Sequence, residues 1–383
     1  MSTTFLNPVF AAELASNVYL IKDKFSRKGF NVKYKNTFDL DESKMVQGKT
    51  GALVVVKKSH VMAFMAVGQG DYKGQAFVAI KGTASLYDAL TDLNTGVHSS
   101  HTGFSVHQGF YYAFDSIVNE LRTFLLGLKE ITTIHCVGHS LGGAIATLAA
   151  DWIKSAKVVP KVALYTFGSP RVGLDSFASH LTAKIQPDNI FRVHHKTDPV
   201  PLVPTWPFCH VPNSDRDYLV FSPLAGKPWE YHLMKHYIDS AKKAGSWATM
   251  QRGRPIGHMD AAIEKWLKSD GIVSFSQNSL ELVNAALMYV LKKVVNLTGI
   301  IVVSGFATTF TLLDRLAMFI AKAAKLTADV SIWVFHLIKK MAAIIGIKIK
   351  QGVDLTTEFV RTVFLRLHKK IADMIWRIGK ELE

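Results

Sequence analysis

Residues 138–144 read Gly-His-Ser-Leu-Gly-Gly-Ala, a Gly-x-Ser-x-Gly arrangement with a serine hydroxyl at its centre. A serine hydroxyl is a weak nucleophile until a neighbouring base takes its proton. The chemistry this points to is therefore acyl transfer through a covalent ester. The spacing also has a steric meaning. In a nucleophile elbow a strand turns into a helix so tightly that side chains at the flanking positions would clash, hence glycine at 138 and 142. Ser140 is then presented at the turn, beside a helix N-terminus whose N–H groups stabilise negative charge. Acyl transfer through a serine ester needs neither a metal nor an organic cofactor, and the chain has no Cys-x-x-Cys or His-Glu-x-x-His spacing, so none is expected.

An elbow needs a buried strand before it and a helix after it, and the pattern supplies both. Ile131–Val137 is an apolar run that predicts a strand, and residues 141–157 carry a helical pattern. Further strands are predicted at Ala52–Val56, His60–Val67, Gln75–Lys81, Lys161–Phe167 and Asn189–His194. Helices are predicted at 9–24, 106–127 and 174–184. Apolar strands alternating with helices mean βαβ units and a mostly parallel sheet, an α/β fold. Lys242–Pro255, with Gly245, Gly253 and Pro255 among several charges, reads as the end of this domain or a linker. The division expected is 1–250 for the α/β domain and 251–383 for a basic, apolar, all-helical domain.

The elbow sequence resembles that of the class 3 lipases, and four other segments agree in order. Val78–Thr83 (Val-Ala-Ile-Lys-Gly-Thr), followed by Asp88 and Asp92, is similar to that family's oxyanion strand and loop, with Lys81 where arginine is more usual. Val106–Phe110 (Val-His-Gln-Gly-Phe), Tyr165–Gly173 and Arg192–Pro204, the last containing Thr-Asp-Pro-Val-Pro, match further family segments. The resemblance covers roughly residues 50–245 and implies an α/β-hydrolase. It also implies a chain order of serine, acid, histidine. Asp198 lies just past the strand expected at Asn189–His194, on a loop stiffened by Pro199 and Pro201, and is the expected acid. For the base, His232 opens His-Leu-Met-Lys-His-Tyr, similar to the family's His-x-Met-x-x-Tyr, and precedes a helix. His258, in Gly-His-Met-Asp, remains the alternative, and the Asp198–His232 interval is shorter than in many fungal relatives. By resemblance the oxyanion donors are the backbone amides of Thr83 and Leu141. The Thr83 hydroxyl is a third candidate, and Asp92 a candidate to hold it. His107, His135 and His139 read as structural.

Charge and hydropathy bear on the partner. The 383-residue chain is 49% hydrophobic and 20% charged, with a formal net charge of +15. Beyond residue 271 there are 15 Lys and Arg against 8 Asp and Glu, a net +7 beside the most apolar stretches. Basic charge among long aliphatic runs favours an anionic membrane surface, and no nucleic-acid motif is present. Val294–Leu313 is a 20-residue run without a charge, long enough to span a bilayer but interrupted by Asn296, Thr298, Ser304, Thr308, Thr309 and Thr311. The last helix, about 354–380, is amphipathic. A bundle, a membrane-associating element and a partner-binding bundle are all compatible with this tail.

The expected function is lipid acyl-ester hydrolysis, foremost a phospholipase of the A type acting on membrane phospholipids. A neutral-lipid lipase or broad esterase is the alternative, and a membrane-disrupting pore or tether a second. Residues 84–105 and 202–222, with Leu86, Leu90, Leu93, Val97, Phe104, Trp206, Phe208 and Leu219, are candidates for a lid or an acyl-binding wall. Cys136 and Cys209 make no disulfide framework, and the N-terminus lacks the early basic residues of a secretory signal. The expectation is a cytoplasmic protein or one exported by a signal-independent route, membrane-associated at its target. A bacterial membrane-attacking effector, with a cognate inhibitor of unknown nature, fits that combination by analogy alone.

Overall fold

A computed structural model describes residues 5–40, 45–50, 58–82, 96–204, 207–213, 217–222, 228–252, 260–271, 273–298, 312–350 and 352–382. The chain divides into two compact units. One takes Met1–Asp92, Val97–Gly253 and Trp376–Glu383, and the other Leu93–Gly96 and Arg254–Ile375.

The first unit is built on a sheet whose strands follow the order β1-β2-β3-β6-β7-β8-β9. These are β1 (Met45–Thr50), β2 (Lys58–Val67), β3 (Gln75–Ile80), β6 (Thr133–His139), β7 (Lys161–Phe167), β8 (Ile190–His195) and β9 (Tyr218–Val220). A separate ribbon pairs β4 (Val97–Ser99) with β5 (Ser105–His107). The first three strands of the sheet are antiparallel, and from β3 through β9 every pairing is parallel. Strands β3 and β6 are buried at every residue, as a parallel sheet covered on both faces requires.

Helices alternate with the strands. They are α1 (Pro8–Asn17), α2 (Lys24–Tyr34), α3 (Gln108–Asp115), α4 (Val118–Leu126), α5 (Leu141–Ala156), α6 (Asp175–Ile185) and α7 (Met234–Ala244). Small residues let α5 lie close on the sheet: Ala144, Ala146, Ala149 and Ala150 are wholly buried. Helix α1 adds Ala11, Ala12, Leu14 and Ala15 to a core with Phe77, Tyr165, Val193 and Tyr237. Just before it, the Leu6 amide donates to the Tyr165 hydroxyl (3.0 Å) and the Trp247 indole donates to the Leu6 carbonyl (2.7 Å). The N-terminal segment is thereby tied to β7 and to a residue 241 positions along the chain.

The ribbon β4–β5 and helix α2 were not expected from the sequence, and other details differ as well. The helix expected at 106–127 breaks into α3 and α4. The expected helix 9–24 is α1 followed by a 3₁₀ turn, Val18–Lys22. Strands β1 and β9 were not expected: β1 is a polar antiparallel edge (Met-Val-Gln-Gly-Lys-Thr) and β9 has three residues, too short to show a period. The strand expected at Ala52–Val56 lies outside the described residues.

The second unit is helical. It holds α8 (Asp260–Lys268), α9 (Gln277–Thr298), α10 (Leu312–Ala323), α11 (Ala328–Ile344) and most of α12 (Thr357–Leu382). Leu287, Val290 and Val294 on α9 are buried, as are Val334, Leu337 and Ile338 on α11, and these two helices pack together. Val360, Val363, Leu367 and Ile371 form the buried stripe of α12. Residues 299–311 of the uncharged run lie outside the described residues. Among the described residues no helix is long and apolar enough to cross a membrane.

Candidate active site

The turn from β6 into α5 places the serine. Ser140 has φ +57° and ψ −131°, a conformation that side-chain-bearing residues rarely adopt. Its glycine neighbours are sterically required. A Cβ on Gly138 would come within 2.2 Å of the Gly142 carbonyl oxygen, and one on Gly142 within 2.2 Å of the Ile80 oxygen and 2.8 Å of the Gly82 nitrogen. The second contact means that the elbow sits directly against the C-terminal end of β3.

Three sequence-predicted residues meet there. The Ser140 hydroxyl lies 3.0 Å from His232 Nε2. His232 Nδ1 lies 2.8 and 3.0 Å from the two Asp198 oxygens. A carboxylate only accepts, so Nδ1 carries the proton and Nε2 turns its lone pair toward the serine, the tautomer a general base needs. Asp198 is held from behind: Oδ2 accepts from the Tyr237 hydroxyl (2.5 Å) and Oδ1 from the Val200 amide (2.9 Å). Burial, and then the Asp198 charge, push the Tyr237 phenol well above its ordinary range, so it stays a donor. Ser140, His232 and Asp198 are all fully buried.

Of the expected oxyanion donors, Leu141 is the first residue of α5, where backbone amides lack an intrahelical acceptor. Thr83 lies outside the described residues, as do Asp88, Asp92 and His258. Lys81, where the family more often has arginine, is buried at the end of β3, its amide bonded to the Met62 carbonyl (2.9 Å). Desolvation, and then Lys22, lower its pKa. The other downstream histidines point elsewhere. His210 faces Arg171 and Arg192 at 3.2 and 3.3 Å, and His236 stacks on Tyr231. Of the expected lid or wall residues, Phe104 stacks on His180 and Phe208 packs on His107. Leu86, Leu90, Leu93 and Trp206 are outside the described residues. No group of three or more potential metal ligands occurs among the described residues.

Two contributors escaped the sequence reading. His139, taken as structural, lies 2.8 Å through Nε2 from the backbone carbonyl of His232 and 2.8 Å through Nδ1 from the Tyr19 hydroxyl. The carbonyl fixes the tautomer: Nε2–H donates to it and Nδ1 accepts from Tyr19. Burial, and then His232, hold this ring well below the usual histidine range, so it is neutral. The Tyr19 oxygen also accepts from the Gly82 amide. A continuous chain of hydrogen bonds therefore runs from Gly82, beside the expected oxyanion loop, through Tyr19 and His139 to the backbone of the base. The position of His139 next to Ser140 was an available signal. Tyr19, 120 residues away, gave none. Replacing Tyr19 by phenylalanine unpairs the Gly82 amide and the His139 ring. The expected result is a kcat about tenfold lower with KM little changed, and about 1–3 kcal/mol less stability. Ester-hydrolysis kinetics on the purified variant would check this, and a kcat within twofold of wild type would show that the chain of bonds does not position the base.

Residues 77–208 match the class 3 lipase family, described as Lipase (class 3). The chain is 31% identical over 176 residues to a secreted mono- and diacylglycerol lipase of Fusarium solani, covering 45% of this chain and 51% of that one. It is 39% identical over 120 residues to the toxin TseL of Vibrio cholerae, covering 30% of this chain and 18% of the toxin. The chain thus spans about half the length of the Fusarium lipase and less of the toxin. A solved Rhizomucor miehei lipase–propeptide complex aligns over 56% of this chain and 67% of that one, at 23% identity and a TM-score of 0.39. The strand order and the elbow themselves carry the α/β-hydrolase architecture.

Proposed function

Starting from a domain whose residues 77–208 match the class 3 lipases, we propose that this chain is a serine-dependent hydrolase of lipid acyl esters, acting on membrane phospholipids as a phospholipase of the A type. The observation that carries the reading is the buried line Asp198–His232–Ser140, with 2.8 Å and 3.0 Å between successive partners. His232 Nε2 takes the serine proton as Oγ attacks the ester carbonyl. The oxyanion forms against the Leu141 amide, and the glycerol alcohol leaves with the proton from His232. Water, deprotonated by the same nitrogen, then attacks the acyl-serine and releases the fatty acid. Asp198 holds the ring and stabilises the imidazolium that forms. Because Ser140 is fully buried, a lipid must displace whatever covers the hydroxyl before the first step.

The test is fatty-acid release from anionic phospholipid vesicles by the wild type and by Ser140→Ala. Release by the wild type, reduced at least 10⁴-fold in the variant, is the expected outcome. The Fusarium relative's name favours mono- or diacylglycerol as the second reading, so a diacylglycerol emulsion belongs in the same assay. Hydrolysis confined to the emulsion would replace the phospholipase assignment. The Vibrio relative's name supports an effector role. Periplasmic expression of the same pair would address that role: arrest of growth by wild type alone supports it, and healthy growth with both counts against it.

A further inference from the structure

Helix α2 turns one face inward and leaves the opposite one unoccupied. Its N-terminus is capped by Asp23, whose Oδ1 accepts from the Phe25 and Ser26 amides, and its inner face buries Phe30 and Tyr34. On the other face Phe25 is 85% exposed and Val32 is 70% exposed. Gly29 lies between them, at four and seven residue steps along one helical face, and a Cβ built on it would meet nothing within 4 Å. Phe25 and Val32 therefore stand on one outward face of the helix, and the bare Gly29 between them leaves that face open to a flat surface.

The charge around them is predominantly positive, although Lys33 is paired with Glu13 (2.8 Å). Residues 22–35 hold Lys22, Lys24, Arg27, Lys28, Lys33 and Lys35 against Asp23 alone, a net +5, and that aspartate is the helix cap. Lys22, Lys24, Lys28 and Lys35 are exposed. Apolar tips ringed by lysines match an anionic lipid interface: the tips enter the acyl boundary while the ammonium groups stay at the headgroups. The turn that leads into the helix, Val18–Lys22, reaches the catalytic end of the sheet. Tyr19, in that turn, bonds to His139 beside the nucleophile, and Lys22 acts electrostatically on Lys81 at the end of β3.

We propose that the outward face of α2 is the surface by which the hydrolase unit docks on an anionic phospholipid interface, with Phe25 and Val32 inserted and the flanking lysines on the headgroups. This deepens the phospholipase reading and rests on it for its biological sense. Its location differs from the basic C-terminal helices, where the composition alone placed membrane contact.

The test uses the full chain carrying Ser140→Ala, so that vesicles are not consumed, with and without Phe25→Ser and Val32→Ser. Both positions are exposed, so the fold is expected to be unaffected, which circular dichroism checks. Partitioning onto phosphatidylcholine vesicles containing phosphatidylglycerol should fall at least tenfold in the double variant. It should also fall with added salt and be weak on phosphatidylcholine alone. In the Ser140 protein the same two substitutions should lower vesicle hydrolysis while leaving turnover of a soluble short-chain ester unchanged. Unchanged partitioning in the double variant, or equal partitioning onto neutral and anionic vesicles, would overturn the docking surface. Absence of ester hydrolysis by the wild type would instead strike the proposed function and leave the binding measurement standing.

Discussion

Asp198→Asn is expected to lower kcat by about 10⁴-fold with the fold intact, the scale this change has in serine proteases. The reasoning lies in donors and acceptors. Asp198 is fully buried, and its two oxygens accept from His232 Nδ1, the Tyr237 hydroxyl and the Val200 amide. An amide of the same shape has only one accepting atom. If its oxygen takes the Oδ1 place and stays with the Val200 amide, the NH₂ group faces the Tyr237 hydroxyl and His232 Nδ1, and the ring must move its proton to Nε2. It then presents a donor to Ser140 and cannot take the serine proton. If its oxygen serves His232, a buried donor faces the Tyr237 hydroxyl or the Val200 amide instead, which costs about 1–3 kcal/mol. The loss should fall on kcat, because the carboxylate touches no substrate. Steady-state kinetics on a soluble ester, with thermal melting as the folding control, would decide it. A loss under tenfold would mean that the acid lies elsewhere.

Gly142→Ala is expected to destabilise the hydrolase unit by about 3 kcal/mol or more and to remove activity with it. The added methyl would stand 2.2 Å from the Ile80 oxygen and 2.8 Å from both the Gly82 nitrogen and the Lys81 carbonyl carbon. All three atoms are backbone, so no side chain can rotate away. Relief requires β3 and the elbow to separate, and that seam is where an oxyanion site must close. Gly127→Ala provides the contrast, since its methyl would meet nothing nearer than 3.5 Å and should change stability by less than about 0.5 kcal/mol. Denaturant midpoints of the two variants would show the difference, and similar midpoints would mean that the seam yields easily.

What could be read in the sequence was local. Gly138–Ala144 announced the elbow because a steric rule fixes glycine within two residues of the nucleophile. Asp198 stood out within Thr-Asp-Pro-Val-Pro, and His232 through its tyrosine five residues on, which the structure shows bonded to the acid. Buried strands such as Lys161–Phe167 were legible because a parallel sheet covered on both faces demands an unbroken apolar run. What stayed hidden depends on chain segments meeting in space. Tyr19 sits in the short apolar run Val18–Ile21, and only the folded chain brings its hydroxyl to His139. Strands β1 and β9 gain their identity from a neighbouring strand and not from their own composition. The exposed face of α2 was equally silent, since Phe25 and Val32 look like any other apolar residues until the fold leaves them bare.

The backbone of Ser140 has a cost that evolution cannot remove. A left-handed φ at a residue bearing a side chain opposes folding by about 1–2 kcal/mol, and glycine would occupy the same turn almost freely. Selection for persistence alone would therefore tend to replace the serine and silence the enzyme. The surplus stability that keeps it there must come from the rest of the unit: the alanine-lined contact of α5 with the sheet and the N-terminal segment anchored by Tyr165 and Trp247. Substitutions that loosen those distant contacts narrow the margin within which a strained nucleophile is tolerated, so they bear on catalysis without approaching the substrate.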